Sequence, residues 1–176
     1  MSNSDTPLKK LVFRNPASTD GAPLKALIER CAPLEPNTTY AYVLFCTDFT
    51  STCLLAEDEA GLVGAIVGYS PPSRPDAIFV WQIAVDGRAR GAGLGSRMLS
   101  ALVEGAQSRG IRYVEATVAP TNLASDGLFR RFARDNDVPL DIAPYFSEDF
   151  FGVDSHEPEH LYRIGPIAPE KHKENQ

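Results

Sequence analysis

The sequence predicts a single-domain α/β protein built on a mixed sheet. Apolar runs of strand character alternate with helix-period runs after an initial hairpin. A nine-residue β-rich run, Ala77 to Val85, is long enough for a central strand, and it leads through a glycine-rich turn into an amphipathic helix. The composition of the 176 residues, 43% hydrophobic and 23% charged, is that of a globular chain able to bury a core. Disorder, collagen-like repeats and a disulfide scaffold are thereby excluded.

Leu11 to Arg14 reads as a short first strand. Asp20 is placed to cap a helix whose apolar stripe is Leu24, Leu27, Ile28 and Cys31, with Pro23 tolerated in its first turn. Pro33 to Asn37 breaks that helix, and Thr38 to Thr47 reads as a second one. Strands at Thr52 to Ala56 and Leu62 to Tyr69 flank an acidic turn ending at Gly61, a hairpin signal. A proline-rich loop precedes the long strand at Ala77. After the glycines come Met98, Leu99, Leu102 and Val103 on one helical face, closed by Gly110. Tyr113 to Val118 is a further strand, and Asn122 opens a helix through Leu128, Phe129 and Phe132. An acidic, proline-containing connection follows, then a last strand around Leu161 to Ile164. The folded domain is expected over 11–167, between a flexible 1–10 and a flexible tail at 168–176.

No apolar run reaches the roughly 18–20 residues needed to cross a bilayer, and the polar start lacks a signal-peptide core, which predicts a cytoplasmic protein without a membrane partner. Cys31, Cys46 and Cys53 lack metal-ligand spacing and read as small buried hydrophobes in a reducing compartment. Net charge is −6, yet residues 88–134 carry eight arginines against three acids, and residues 135–159 carry eight acids and no Lys or Arg. A basic stretch beside an acidic one suits an anionic cofactor meeting a cationic substrate; the plainer alternative is two solvated faces. The acidic total, without Lys/Arg runs among aromatics, disfavours nucleic acid.

The turn Arg90-Gly91-Ala92-Gly93-Leu94-Gly95 sits between a strand and a helix. Glycines there let successive backbone N–H groups approach an anion, and the helix N-terminus adds partial positive charge. A dinucleotide fold needs a differently spaced third glycine directly after the strand, and a Walker loop needs Gly-Lys-Ser/Thr. The Arg90, Gly93, Gly95 pattern, with Asn122 and the helix after the next strand, resembles the GNAT N-acetyltransferase superfamily. That resemblance implies a mixed, mostly antiparallel central sheet flanked by helices, with acetyl-CoA as cosubstrate. It implies pyrophosphate contacts at Arg90, Gly91, Gly93, Gly95 and Ser96, pantetheine pairing along Ile83, Ala84 and Val85, and further cofactor contacts at Asn122 and Phe129.

More narrowly, Leu34-Glu35-Pro36-Asn37-Thr38-Thr39-Tyr40, Arg74-Pro75-Asp76, Phe79-Val80-Trp81-Gln82, Val118-Ala119-Pro120-Thr121-Asn122 and Arg163-Ile164-Gly165-Pro166 resemble the L-2,4-diaminobutyrate acetyltransferases of ectoine synthesis. Glu35 stands where those proteins usually carry Asp, and Thr38 where they often carry Ser. The resemblance implies acetylation of the 4-amino group of L-2,4-diaminobutyrate by direct attack in a ternary complex, in a homodimer. A same-fold alternative is another small cationic amine, such as a polyamine or an ornithine-like amino acid; a different class is a catalytically silent CoA-binding sensor.

Acetyl transfer to an amine needs a neutral nitrogen, a polarised carbonyl and a proton for the thiolate. Deprotonating an alkyl ammonium at neutral pH costs about 4 kcal/mol, which a positioned base offsets. Glu115 is the candidate for binding or deprotonating the amine, its structural alternative being an ion pair with a nearby Arg such as Arg112. A backbone N–H near Ile83 to Val85 is the candidate oxyanion donor. Many GNAT enzymes place a tyrosine where this chain has Phe129, so water, Tyr40, Tyr42 or another group protonates the thiolate, or it leaves unassisted. Glu35, Tyr40, Trp81, Glu115, Thr117 and His156 are the candidate substrate residues. Tyr40 and Tyr42, at i and i+2, cannot share a helix face, so at most one faces the site, and Tyr40 is chosen. Trp81 offers a cation–π or stacking surface, its alternative being a core position. His156-Glu157-Pro158-Glu159-His160 spells a zinc-protease motif, but Pro158 breaks the helix that zinc would need, so no metal is expected and the segment reads as a loop over the substrate.

Overall fold

The computed structural model describes residues 11–152 and 156–168. The expectations for 1–10 and for nearly all of the tail lie outside the described residues. Seven strands and four α-helices follow in the order β1 Val12–Arg14, α1 Gly21–Arg30, α2 Thr39–Asp48, β2 Leu54–Asp58, β3 Gly61–Tyr69, β4 Ala77–Val85, α3 Leu94–Ala106, β5 Tyr113–Val118, α4 Leu123–Asp135, β6 Leu140–Phe146 and β7 Glu159–Ile164. They form one sheet of order β1-β2-β3-β4-β5-β7-β6, in which only the β4–β5 neighbours run parallel. The mixed, mostly antiparallel sheet is therefore as expected.

The β6 strand corrects the reading of residues after Asp135 as a plain connection. Almost all of its side chains are exposed, so neither face carries the alternation that marks a half-buried strand. It is an edge strand, where Pro144 removes no required ladder donor. Asp20 is the second correction. It stands at the N-cap position but does not cap α1; its carboxylate accepts from both Arg14 Nη groups at 2.7 and 2.9 Å and from the Ala17 N–H at 2.7 Å. Thr38 does cap α2, accepting from the Ala41 N–H, and Asn122 caps α4 through the Ser125 N–H.

Two cores lie on opposite faces of the sheet. Met98, Leu99, Leu102 and Val103 of α3 and Phe129 and Phe132 of α4 pack on Ile78, Val80, Val114 and Ala116. Leu24, Leu27 and Ile28 of α1 and Tyr42 and Cys46 of α2 pack on Leu55, Ala65, Val67 and Ala84. All three cysteines are buried hydrophobes of this second core, and burial pushes the Cys46 thiol up to about 11 and that of Cys53 to about 12.

Candidate functional site

The site follows from how β4 is built. Against β3, Val67 pairs with Gln82 and Gly68 with Val80, so Trp81 is an extra residue in a bulge. Against β5, the ladder covers only Ala77 to Phe79 with Tyr113 to Glu115. Beyond that rung the two strands part. The Asp86 N–H donates to the Val63 carbonyl of β3 at 2.9 Å. Since strand N–H groups alternate in direction, Ala84 also faces β3, whereas the backbone groups of Ile83 and Val85 point into the gap. The Val85 carbonyl indeed accepts from Arg90 Nε at 3.2 Å, on the side away from β3. The Ile83 amide and carbonyl and the Val85 amide are thus left for a strand-like ligand.

That gap opens into a cleft of about 600 Å³. Ile83, Val85, Arg90, Gly91, Gly93, Gly95, Ser96 and Asn122 line it, so eight of the ten expected cofactor residues come together. Gly91 and Gly93 hold φ of 79° and 69°, and Gly93 is the left-handed N-cap of α3. A side chain at either position would be strained, and the turn they make points the first α3 amides at the cleft. Ala84 is a correction: its backbone groups face β3 and its side chain lies in the α1–α2 core, so neither reaches the cleft. Phe129 is a correction: it is buried beside Tyr162 with ring centroids 6.3 Å apart, and the cleft wall is Ala124, Gly127, Leu128 and Arg131 instead. Leu128 and Phe129 are successive on the helix and so point about 100° apart. The Asn122 side chain, although at the cleft, is spent on capping α4.

The basic stretch is largely consumed locally. Arg88 pairs with Asp58 at 2.7 Å, Arg130 with Asp126 at 2.8 Å, and Arg97 lies over the Phe13 ring. At the cleft, Arg90 ties the Ala32 carbonyl to Val85, while Arg131 has no hydrogen bond or ion pair among the described residues.

On the opposite side of the gap lies the α1–α2 face. Trp81 is 36% exposed and stacks on Phe45 at 5.1 Å, so it is not a plain core residue. The segment before α2 is fastened to β4 by a buried chain. Tyr42 accepts from the Asn37 N–H and donates to Gln82 Oε1, both at 3.0 Å, and Gln82 Nε2 donates to the Glu35 carbonyl at 3.0 Å. Glu35 itself is exposed. Tyr42, fully buried, is the tyrosine that reaches β4, and Tyr40 stands 75% exposed in the first turn of α2. Periodicity shows that the two diverge; it does not say which one turns inward.

Glu115 and Thr117 share this face of β5. Glu115 has no exposed surface, and each carboxylate oxygen takes a guanidinium: Arg74 Nε at 2.8 Å on Oε2 and Arg163 Nη1 on Oε1. The ion pair considered for Glu115 exists, with Arg74 and Arg163 as its partners. Glu115 in turn raises the proton affinity of Arg74. Arg163 also stacks 3.8 Å over the Tyr113 ring. Sequence reading missed both arginines as site residues, because they are 41 and 48 positions from Glu115 and only strand pairing unites them.

His156 stacks on Phe151 at 3.8 Å in the segment leading into β7, and Glu157 accepts from the Thr121 hydroxyl at 2.6 Å. His160 is in β7, so the two imidazoles do not lie one helical turn apart, and among the described residues no cluster of three His, Cys, Asp or Glu could hold a metal.

Comparison with known proteins bears on this geometry. Residues 23–133 match the family model described as the acetyltransferase (GNAT) family. The L-2,4-diaminobutyric acid acetyltransferase of Marinococcus halophilus is 37% identical over 168 residues, covering 96% of this chain and 97% of that protein. The protein of the same name from Chromohalobacter salexigens is 42% identical over 164 residues, covering 93% and 85%. Among solved structures, the diaminobutyrate acetyltransferase of Paenibacillus lautus in complex with L-2,4-diaminobutyric acid and coenzyme A superposes with a TM-score of 0.85 at 34% identity, over 93% of this chain and 99% of that one.

Proposed function

The chain belongs to the GNAT acetyltransferase family and, within it, to the L-2,4-diaminobutyric acid acetyltransferases, and from that premise we propose that it acetylates the 4-amino group of L-2,4-diaminobutyrate by direct attack in a ternary complex. The observation that carries this reading is the parting of β4 from β5 beyond Phe79, with the Ile83 and Val85 backbone groups left unpaired beside a glycine-turn cleft.

Acetyl-CoA supplies the activated acyl group. The residues fit it: the Gly91–Gly95 turn and the α3 N-terminus receive a pyrophosphate, and Ile83 and Val85 receive an amide-bearing arm as an added strand would. The Ile83 amide, aimed into the gap, is the donor for oxyanion charge on the thioester carbonyl. Trp81 at the mouth of the gap stacks on the aliphatic chain of the amine, and Glu35, Tyr40, Thr117 and His156 complete the substrate set. Glu115, with a guanidinium on each oxygen, acts by holding those arginines, and water removes the ammonium proton. Phe129 carries no hydroxyl, so the thiolate takes its proton from water or Tyr40. The protein works in the cytoplasm as a homodimer.

The test is thiol release from acetyl-CoA with L-2,4-diaminobutyrate beside ornithine, lysine, putrescine and spermidine. The expected result is strong preference for diaminobutyrate with an N4-acetyl product by NMR and a dimer by sedimentation. Turnover of a different amine removes the substrate assignment, and cofactor binding without turnover of any amine removes the enzymatic one.

A further inference from the structure

We infer that Arg74 and Arg163, held by Glu115, form the receptor for the substrate's carboxylate and so distinguish an amino acid from a plain diamine. The inference deepens the acetyl-transfer reading and rests on it. One buried carboxylate between two guanidiniums leaves the cluster with a formal charge of +1. Both arginine side chains keep 30% of their surface exposed while Glu115 keeps none, so the excess charge is on the open side. Each guanidinium donates only one hydrogen bond to Glu115, Arg74 through Nε and Arg163 through Nη1, which leaves further N–H groups on both.

The surroundings do not cancel that charge. Asp141 is the register partner of Arg163 on β6, yet the two form no ion pair. Tyr145 lies beside Arg74, and Ser73 accepts a long bond of 3.4 Å from that guanidinium. Stacking on Tyr113 fixes the Arg163 plane, as bidentate recognition of a carboxylate requires.

The position matches the substrate's length. Glu115 pairs with Phe79 on the last rung before β4 and β5 part, and Trp81 lies two residues further along β4. That is about 7 Å at about 3.4 Å per strand residue. L-2,4-Diaminobutyrate extends about 5 Å from N4 to its carboxyl carbon, from bond lengths of about 1.5 Å. A carboxylate seated on the two guanidiniums therefore brings N4 to the mouth of the gap.

The test compares kcat/KM for L-2,4-diaminobutyrate with that for 1,3-diaminopropane, the same chain without the carboxylate. The wild-type protein should prefer diaminobutyrate by about 10- to 100-fold, the range for a charge-assisted hydrogen-bonded pair. Arg163→Met and Arg74→Met should each bring that ratio down at least about tenfold, through diaminobutyrate KM. Arg163→Lys, which keeps a cation beside buried Glu115, guards against misfolding and should lower the ratio by less than Arg163→Met. An unchanged ratio in the folded variants, or equal use of both amines by the wild type, overturns the inference. Wild-type protein that acetylates neither amine overturns the acetyl-transfer reading, and this inference with it.

Discussion

Tyr42→Phe removes one oxygen and interrupts the chain that fastens the substrate segment to β4. In the wild type the hydroxyl serves two partners at 3.0 Å, the Asn37 N–H and Gln82 Oε1. The Asn37 end is exposed, so water replaces its bond at little cost. The Gln82 end is buried, and an orphaned acceptor there costs about 1–3 kcal/mol. Because the phenyl ring still fills its place, no cavity contributes. The expected loss is about 2 kcal/mol in urea unfolding at unchanged m, or about 4–8 °C in Tm for a chain of this size. Gln82 also holds the Glu35 carbonyl, so amine KM should rise several-fold while kcat falls less. Tyr40→Phe is the internal control: its hydroxyl is on the surface, and unfolding should shift by no more than about 0.5 kcal/mol. If Tyr42→Phe is as stable as wild type with an unchanged KM, the buried chain does not hold the segment.

Gly165→Ala should destabilise by more than about 2 kcal/mol, because φ is 134° and an added Cβ would lie 2.5 Å from the Arg112 carbonyl oxygen; guanidinium unfolding measures it, and a neutral result would refute that strand-end geometry. Arg14, with the Ala17 N–H, holds the Asp20 carboxyl below its ordinary value. A lowered folded-state value stabilises above the unfolded value of about 3.9 and is lost as pH falls through it. Asp20→Asn should therefore cost about 1–3 kcal/mol at pH 7 and progressively less below about pH 4, and a pH-independent difference would contradict the pairing. The three buried thiols, all shifted upward by burial, should resist Ellman's reagent at pH 8 in the native protein and react fully in denaturant; rapid native labelling would place at least one of them at the surface.

Much of this protein is legible in its sequence because the signals are local. The Ala77 to Val85 strand is a long β-rich run, Asn122 is a side-chain cap, and the Gly91 and Gly93 turn announces its left-handed backbone by composition. Those signals placed a glycine turn between a strand and a helix, and the family resemblance implied the eight cofactor residues that line the cleft. Other features depend on contacts between distant segments. The β6 strand exists because β7 offers it an edge, not because its own residues alternate. Tyr42 turns inward because Gln82, 40 positions away, presents a buried acceptor. Phe129 belongs to the core rather than the cleft because α4 packs with that face on β7 and α3. Glu115 is a bare carboxylate in the sequence and a doubly bridged anchor in the fold, since parallel pairing with β4 and antiparallel pairing with β7 bring Arg74 and Arg163 to its two oxygens. Periodicity and turn chemistry act over a few residues and so determined the elements, whereas charge neighbours and hydrogen-bond partners are set by strand register, which only the assembled sheet decides.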